Sequence, residues 1–275
     1  MDLRRVYMKR EKWSRKGDYG KVLVVSGSRI YSGSPVFNAV SALRSGADLV
    51  AVIGHKRAMD IAAVFLPDLI THPLEFDLNL YHVSEILELA KDHDAMIIGC
   101  GLKRSDDTHR AIREIIKKAS LPIVIDAEGI RALSGNLDLV GGKSVIITPH
   151  ANEFKALTGE TVQLETKDRR EKVEKWAKKL GVTILLKGSV DVISDGDEVS
   201  LNRTGTPLMA KGGFGDTLSG ICGALLARGL SPFEAAVHAA YINGKAGEMA
   251  SKQYGESLLA SDIFEYIPRV INLKK

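Results

Sequence analysis

Short apolar stretches rich in β-branched residues alternate with longer amphipathic stretches through the first two-thirds of this chain. Each short stretch ends in a small or polar residue, and we predict buried strands over residues 21–27, 48–54, 94–99, 122–126, 144–148 and 182–188. Helical patterns lie between most of them, over residues 35–45, 56–65, 82–92, 106–119, 151–157 and 166–180. This alternation predicts an α/β fold in which a mainly parallel central sheet carries helices on both faces.

The pattern changes after the last strand of this series. Two short strands flank Asp195-Gly196, a dipeptide that is typical of a β-hairpin turn. Three helical segments follow, at about 214–228, 232–250 and 261–272. The sequence contains no internal repeat, no low-complexity tract and no Pro/Gly/Ser-rich linker, so we expect residues 1–275 to form a single domain.

Composition argues against several classes of function. The chain has 275 residues, 45% hydrophobic and 26% charged, as in an ordinary globular protein. Its net charge is only +4, and no basic stripe with interleaved aromatics follows the basic cluster of residues 4–16, so we expect no nucleic-acid partner. No signal-peptide pattern and no run of about 18 apolar residues is present, so we expect a cytoplasmic protein without a membrane partner. Cys100 and Cys222 lie far apart in apolar surroundings, which favours buried thiols over a disulfide or a metal pair.

The stretch MAKGGFGDTLSGICGALLARG, residues 209–229, places Gly212, Gly213 and Gly215 around one acid, Asp216. Apolar residues recur at helical spacing after these glycines, so we predict a helix that begins where the loop ends. Such a loop presents the free N–H groups of a helix N-terminus, which form an anion site. Asp216 either complements the helix dipole or acts as a general base on a hydroxyl that attacks a phosphoryl group. The three glycines favour the second role.

A second glycine loop follows the first predicted strand. Gly27, Gly33 and Ser34 precede Pro35, a residue that suits the first position of a helix. After the third predicted strand, residues 99–101 (Gly-Cys-Gly) match only part of a dinucleotide-binding fingerprint, because its third glycine is missing. Neither loop alone identifies a ligand.

Polar residues also end three later strands. Asp126 follows PIVI, where its carboxylate could reach a ribose, a metal-bound water or a helix terminus. In TPHANEF, His150 and Glu153 lie three residues apart and can project from the same helical face. Two residues are too few ligands for a zinc site. Either Thr148 caps the following helix, or His150 orients a polar ligand. Lys187 could meet a phosphate as a point charge or extend into solvent.

In this order, the motifs resemble those of the NAD(P)H-hydrate dehydratases of the ribokinase-like superfamily. The match runs from about residue 17 to about residue 247 and includes GSRIYSGSP…ALRSGADLV, IGCGL, DAEGI, TPHANEF, LLKG and TGTPLMAKGGFGDTLSG. The combination of TPHxxEF with GGxGDxLxG is specific to that family. The resemblance implies a three-layer ribokinase-like α/β fold with a mainly parallel central sheet, and an enzyme that repairs NADH and NADPH.

The reaction implied by the resemblance removes water from the (S)-hydrate of NADH or NADPH. ADP or ATP phosphorylates the hydroxyl of the hydrated nicotinamide ring, and loss of phosphate restores the ring double bond. Asp216 would deprotonate that hydroxyl, and the amides from Gly213 to Gly215 would hold the transferring phosphoryl group. ADP or ATP is then the co-substrate, and Mg²⁺ is expected at the phosphates, with no protein ligand for the metal identified.

The resemblance also carries roles to individual positions of this chain. Ser34, Gly101 and His150 match residues that contact the damaged dinucleotide, together with Asp216. The implied nucleotide-binding residues are Lys187, Gly188, Ser189, Val190, Asp191, Gly213 and Gly215. Supporting roles fall to Asp126, Glu153 and Gly212.

Three positions depart from the pattern of the family. Ser34 stands in place of alanine, and Cys100 stands in place of proline. DAEG replaces DAD, which leaves the roles of Asp126 and Glu128 open. The proposed base and the phosphate loop are unaffected by these differences.

Members of this family are often fused to an epimerase domain that interconverts the two hydrate epimers. This chain begins close to its first predicted strand, so we expect the epimerase to be a separate protein. By resemblance we also expect a homo-oligomer. Neither expectation follows from a motif.

Other functions remain as alternatives. A kinase of the same superfamily, acting on a small alcohol or vitamin precursor, would use the same base and loop, but TPHANEF favours the dehydratase. A non-catalytic nucleotide sensor would not need the carboxylate of Asp216. A Rossmann dehydrogenase is disfavoured by the incomplete glycine fingerprint.

Overall fold

The computed structural model describes residues 3–272 and contains a nine-stranded sheet in that range. The strands are β1 (Lys21–Val25), β2 (Leu49–His55), β3 (Ile70–Leu74), β4 (Ala95–Ile98), β5 (Ile123–Ile125), β6 (Val145–Ile147), β7 (Thr183–Leu186), β8 (Asp191–Ser194) and β9 (Val199–Asn202). Their order in the sheet is β3-β2-β1-β4-β5-β6-β7-β8-β9. Strands β1 to β7 are paired in parallel, and β8 and β9 add antiparallel pairs at one edge. The mainly parallel sheet predicted from the sequence is confirmed.

Helices cover both faces of this sheet. Within the described range they are α1 (Ser34–Arg44), α2 (Lys56–Phe65), α3 (Val83–Ala90), α4 (Asp106–Lys118), α5 (Glu128–Leu133), α6 (Ala151–Thr158), α7 (Thr166–Leu180), α8 (Phe214–Ala227), α9 (Pro232–Tyr254) and α10 (Ile267–Ile271). Short 3-10 turns cover Leu3–Arg5, Leu80–His82, Leu137–Val140, Pro207–Met209, Gly255–Ser257 and Ala260–Glu265. Helices α1, α2, α8, α9 and α10 pack on one face, and α3 to α7 pack on the other. The fold therefore has three layers.

Strand β1 shows why the predicted strands are apolar throughout. Val22 and Val24 belong to the core beneath α8, whereas Leu23 and Val25 belong to the core on the opposite face. All four side chains are buried. Because successive strand residues point to opposite faces, a strand that is covered on both sides needs an unbroken apolar run.

Strand β3 is absent from the sequence predictions. It forms one edge of the sheet, and Leu74 is its single buried side chain. Pro73 lacks the N–H group that a central strand uses for pairing, and this confines proline to positions such as sheet edges. A search for buried apolar runs misses a strand of this kind.

One helix was not predicted, and one predicted helix differs from the structure. The six-residue helix α5 is absent from the predictions, because it is too short for a periodic pattern. The helix predicted over 261–272 is two elements, the 3-10 turn Ala260–Glu265 and α10. Pro268, at the start of α10, has no N–H group and clashes with the preceding turn, so a continuous helix cannot form there.

The chain reverses its direction across the sheet between β1 and β4. From β1 it proceeds outward through β2 to β3, and then returns to place β4 on the other side of β1. The loops after β1 and β4 therefore diverge, which leaves a crevice at the carboxyl ends of the strands where α/β proteins bind ligands. Helix α8 packs against α1 and over β1, β4 and β5, so its first turn reaches this crevice.

Three further sequence predictions concern the hairpin, the thiols and membrane segments. The hairpin of β8 and β9 is present, and Gly196 in its turn has a φ of +100°. Cys100 and Cys222 are free and buried, as predicted. Among the helices that the structure describes, none is long and apolar enough to cross a membrane.

Candidate active site

Asp216 lies in the first turn of α8, directly after the glycine loop. Gly213 precedes this helix with a φ of +99°. A Cβ atom at Gly213 would lie 2.7 Å from Ala260 Cβ and 3.0 Å from the ring of Phe37, so glycine is required there. At Gly212, in contrast, a Cβ atom would meet nothing within 4 Å. The backbone at Gly213 therefore fixes the loop that presents Asp216.

Two side chains of α1 donate hydrogen bonds to Asp216, one to its carboxylate and one to its main-chain oxygen. Ser34 Oγ donates to Asp216 Oδ2 over 3.0 Å, and Asn38 Nδ2 donates to the main-chain oxygen of Asp216 over 2.8 Å. Burial, together with the charge of Asp126, raises the pKa of Asp216 from 3.8 to about 6, and the hydrogen bond from Ser34 opposes this rise. A carboxylate with such a pKa is ionised at neutral pH and suited to accept a proton.

An ion cluster lies beside Asp216. Lys187 Nζ is 2.9 Å from Asp126 Oδ1 and 3.7 Å from Glu153 Oε2, and Ser219 Oγ donates to Asp126 Oδ2 over 2.7 Å. Burial opposes the ionisation of Asp126, but Lys187 and Ser219 outweigh it and hold the pKa of this carboxyl below its usual value. Burial likewise opposes the charge on Lys187, but Asp126 and Glu153 outweigh it and raise the pKa of the ammonium. Asp126 and Lys187 are therefore both charged at neutral pH.

This cluster reaches the N-terminus of α8. A Cβ atom at Gly215 would lie 3.5 Å from Lys187 Nζ and 3.9 Å from Asp126 Oδ2. The ammonium group is thus close to the free amides of the first helical turn. A cation and a helix N-terminus at one place favour the binding of a phosphate.

His150 precedes α6 and caps that helix with its own side chain. His150 Nδ1 accepts hydrogen bonds from the N–H groups of Asn152 and Glu153, over 3.1 and 3.2 Å. Glu153 Oε2 accepts in return from the N–H of His150 over 2.8 Å. The cap considered for Thr148 is therefore wrong, because the imidazole already occupies the position from which the first amides are reached. About half of the His150 side chain remains exposed.

Residues 187–191 form a tight bend between β7 and β8. The N–H of Gly188 donates to Asp191 Oδ1 over 2.9 Å. Asn202 of β9 donates to Asp191 Oδ2 over 2.9 Å, and Arg169 of α7 donates to the main-chain oxygen of Lys187 over 3.0 Å. The bend is therefore held from two neighbouring elements.

A cleft of about 850 Å³ opens along the loop and this bend. The predicted site residues that line it are Asp126, His150, Glu153, Lys187, Gly188, Ser189, Asp191, Gly212, Gly213, Gly215 and Asp216. Most of the segment 204–211 and the residues Ala240, Asn243 and Gly244 of α9 line much of the rest. Val190 belongs to the same bend but does not line the cleft. Most of the residues expected to bind the nucleotide thus share one cavity.

Ser34 and Gly101 are also outside the lining of this cleft, and Ser34 contacts the carboxylate of Asp216. Gly101 has a φ of +63°, and a Cβ atom there would lie 2.7 Å from Ser34 Cβ and 2.8 Å from Ser34 Oγ. Glycine at position 101 therefore leaves the room that the Ser34 hydroxyl occupies. Among the predicted site residues, Asp216 both lines the cleft and contacts Ser34.

Glu128 and Asp126, the two acids of DAEG, have different partners in the structure. Its carboxylate lies 2.6 Å from His109 Nε2, 3.6 Å from Arg131 and 3.9 Å from Arg104, and it does not line the cleft. Asp126, two residues earlier, is at the centre of the ion cluster. Of the two acids in DAEG, Asp126 is the one placed at the candidate site.

Sequence reasoning missed three residues that hold the site together: Asn38, Ser219 and Arg169. Asn38 and Ser219 are completely buried on α1 and α8, and Arg169 is 8% exposed on α7. A polar residue among the core positions of a predicted helix was the available signal, because such residues are rarely buried without a partner.

The residues around Asp216 do not form a fitting site for Mg²⁺. Among residues 3–272, the ligand atoms of Cys100, Asp126 and Asp216 lie within 4.8 Å of one another. Mg²⁺ requires oxygen ligands in near-octahedral geometry, and a thiol is too soft a ligand. Both oxygens of Asp126 are already engaged, by Lys187 and Ser219.

Comparison with known proteins agrees with this geometry. The model of the NAD(P)H-hydrate dehydratase family matches residues 22–269. The bifunctional NAD(P)H-hydrate repair enzyme of Pyrobaculum aerophilum is 43% identical over 261 residues, which cover 94% of this chain and 52% of that protein. The ADP-dependent (S)-NAD(P)H-hydrate dehydratase of Cenarchaeum symbiosum is 40% identical over 274 residues, which cover 98% of this chain and 94% of that protein. The chain spans about half the length of the bifunctional relatives that it matches.

A solved structure extends the comparison to three dimensions. The ADP/ATP-dependent NAD(P)H-hydrate dehydratase of Bacillus subtilis, co-crystallised with ATP and Mg²⁺, superposes with a TM-score of 0.80 at 28% identity. The superposition covers 98% of this chain and 94% of that one. The range matched by the family model includes the glycine loop and every residue of the ion cluster. This chain is therefore a member of the NAD(P)H-hydrate dehydratase family and has the ribokinase-like fold.

Proposed function

We propose that this chain dehydrates the (S)-hydrate of NADH or NADPH, with ADP or ATP as the phosphoryl donor. The observation that carries the proposal is the position of Asp216. Its carboxylate stands at the N-terminus of α8, near the ammonium of Lys187 and the free amides of the first helical turn, and it accepts a hydrogen bond from Ser34. The names of the relatives support the same reaction.

The first step is a phosphoryl transfer to the ring hydroxyl. Asp216 accepts the proton of this hydroxyl, and the hydroxyl oxygen bonds to the terminal phosphorus of the nucleotide. The bond from that phosphorus to the bridging oxygen breaks, so that AMP leaves from ADP, or ADP leaves from ATP. The ring carbon–oxygen bond then breaks, so that phosphate leaves together with the former hydroxyl oxygen. A proton leaves the neighbouring ring carbon, and the carbon–carbon double bond that forms regenerates the reduced nicotinamide.

The amides of Gly213 to Gly215 hold the transferring phosphoryl group in this proposal. They are preorganised because Gly213 fits its place only as glycine, and the charge that develops on the phosphoryl oxygens meets fixed donors. Lys187, beside Gly215, supplies a positive charge to the same group. Its pairing with Asp126 and Glu153 holds the ammonium in place.

The two substrates approach Asp216 from different sides. The nucleotide occupies the cleft along Lys187, Gly188, Ser189 and Asp191, with Val190 supporting the bend. The damaged dinucleotide contacts Ser34 and Gly101 and reaches His150, which lines the cleft itself, as the family resemblance implies. The ring hydroxyl and the terminal phosphate then meet at Asp216.

Mg²⁺, when bound to the nucleotide phosphates, would neutralise part of their charge. Since the residues near Asp216 do not fit it as ligands, no step is assigned to a protein-bound metal. A separate epimerase, a homo-oligomeric state, a single domain over 1–275 and a cytoplasmic location also stay predictions. Removal of divalent ions with EDTA, followed by restoration with Mg²⁺, tests the metal.

The reaction is tested by the near-ultraviolet absorbance of reduced nicotinamide, with purified (S)-NADH hydrate as substrate. Absorbance should increase when Mg²⁺ and ADP or ATP are present and should not increase without a nucleotide. The nucleotide that supports the increase identifies the donor. Well-folded protein that gives no increase with either nucleotide would contradict the proposal and favour a kinase for another alcohol.

A further inference from the structure

Asn38, in the second turn of α1, is completely buried against the first turn of α8. Its Nδ2 donates to the main-chain oxygen of Asp216 over 2.8 Å and lies 3.4 Å from Cys100 Sγ. A carbonyl oxygen requires a donor opposite it, so Nδ2 and not Oδ1 faces Asp216. Asn38 thus holds the backbone of the proposed base from a neighbouring helix.

The carbonyl oxygen of the Asn38 side chain lowers the stability of the folded state. Oδ1 is buried and has no hydrogen-bond partner among residues 3–272. A buried carbonyl oxygen without a partner destabilises a fold, and leucine has nearly the same shape without this penalty. A contribution other than stability therefore accounts best for an asparagine at this position.

Ser34 adds a second contact from the same helix. It lies four residues before Asn38, and therefore on the same face of α1. Its Oγ donates to Asp216 Oδ2, so α1 holds Asp216 at the carboxylate as well as at the backbone. The close approach of the two helices depends on Gly220 of α8, where a Cβ atom would lie 2.2 Å from the main-chain oxygen of Asn38.

The remaining groups that face Asp216 are poorer at orienting it. They are Cys100, Asp126 and Lys187, from the loops after β4, β5 and β7. The thiol of Cys100 is a weak donor, and the carboxylate of Asp126 repels that of Asp216. Lys187 is held by Asp126 at 2.9 Å. The orientation of Asp216 therefore depends mainly on Ser34 and Asn38.

We propose that Asn38 is a positioning residue, which together with Ser34 fixes the first turn of α8 so that the Asp216 carboxylate meets the substrate hydroxyl. This inference rests on the proposed function. Because Asn38 is buried and does not line the cleft, its loss should lower kcat and leave nucleotide binding unchanged. A small displacement of a catalytic group is sufficient for a large loss of rate.

The direct test is Asn38→Leu in the dehydratase assay. We expect kcat to fall by about tenfold to 10²-fold, while KM for the nucleotide changes by less than about twofold. The melting temperature should stay equal or rise, because the unsatisfied oxygen is removed. An unchanged kcat would overturn the proposal. A lower melting temperature together with a matching increase in KM for the nucleotide would also overturn it.

Matched variants of α1 separate positioning from packing. Ser41→Ala removes a buried hydroxyl that, within residues 3–272, donates to the carbonyl oxygens of Phe37 and Asn38 of α1 itself, so kcat should not change. Ser34→Ala should lower kcat, and Ser34→Thr, which keeps the hydroxyl, should restore most of it. Equal rates for Ser34→Ala and Ser34→Thr would contradict the contact from α1 to the carboxylate.

Hydrogen exchange of the amides of residues 213–217 tests the same idea without any substrate. Exchange should be faster in Asn38→Leu than in the unmodified chain, and Ser41→Ala should show no change. Unaltered exchange in Asn38→Leu would refute positioning even if the chain catalysed another reaction. If the unmodified chain is inactive towards the hydrate, but Asn38→Leu still exchanges faster than the unmodified chain, only the proposed function would be contradicted.

Discussion

Lys187 Nζ lies 2.9 Å from Asp126 Oδ1, and this pair joins the carboxyl ends of β7 and β5 inside the candidate site. Asp126 is 2% exposed, so its charge would be costly without the ammonium. The pair also lies beside Gly215, at the place where a phosphate is expected to bind. One contact therefore serves both the stability of the fold and the electrostatics of the site.

Lys187→Met should destabilise the fold and weaken nucleotide binding. The substitution leaves Asp126 and Glu153 buried without their cation, and breaking such a pair costs about 3–5 kcal/mol. Chemical denaturation and nucleotide titration measure the two effects. In the double variant with Asp126→Asn, most of the stability should return while nucleotide binding stays weak. Failure of the double variant to regain stability would contradict this account of the pair.

Asp216→Asn should abolish most of the activity and preserve the fold. The amide has nearly the same shape but cannot accept the proton, so turnover should fall by about 10²–10⁴-fold. Nucleotide affinity, measured by titration calorimetry, should change little. A variant with near-normal turnover would show that another group is the base.

The pH dependence of activity and of stability should have opposite signs. Burial and the charge of Asp126 raise the pKa of Asp216 from 3.8 to about 6, so activity should rise with pH through about 6 as the base ionises. The folded state binds this proton more tightly than the unfolded state, so Asp216 contributes stability below pH 3.8 that is lost as pH rises through about 6. The loss should be about 1–3 kcal/mol. Melting curves of Asp216→Asn should lack this component between those two values.

Gly213 and Gly212 should respond differently to alanine. At Gly213 the side chain would overlap Ala260 at a backbone φ of +99°, which disfavours alanine by about 1–2 kcal/mol before the overlap is counted. At Gly212 a Cβ atom meets open space, so Gly212→Ala should keep its melting temperature. We expect Gly213→Ala to lose stability and phosphoryl transfer together. Equal melting temperatures for the two variants would contradict the assigned geometry of the loop.

The alternation of apolar and amphipathic stretches is sufficient to predict most of the sheet. Strands such as β1 and β4 are buried on both faces, and this burial accounts for their unbroken apolar runs. Strand β3 is not predictable in this way, because an exposed edge strand with Pro73 carries no such run. The break before α10 also escapes prediction, because the apolar residues on either side of Pro268 keep helical spacing.

The site is predictable where glycines or strand ends mark it. Asp216, Lys187 and Asp126 follow a glycine loop or a strand, and the structure brings them together. The roles of Asn38 and Ser219 are not predictable, because a buried polar residue in a helix indicates that a partner exists but not which one, and their partners are distant along the chain. Local patterns in one sequence do not identify such long-range contacts.

The packing of α8 over β1, β4 and β5 has a consequence for synthesis of the chain. The helix that carries Asp216 comes from the last quarter of the sequence, whereas β1 comes from its beginning. Until α8 and α9 have left the ribosome, the apolar side chains of one sheet face, such as Val22 and Val24, are covered only in part, by α1 and α2. A nascent chain that ends before residue 214 should therefore need protection by a chaperone, and Asp216 reaches the candidate site only when the core is closed.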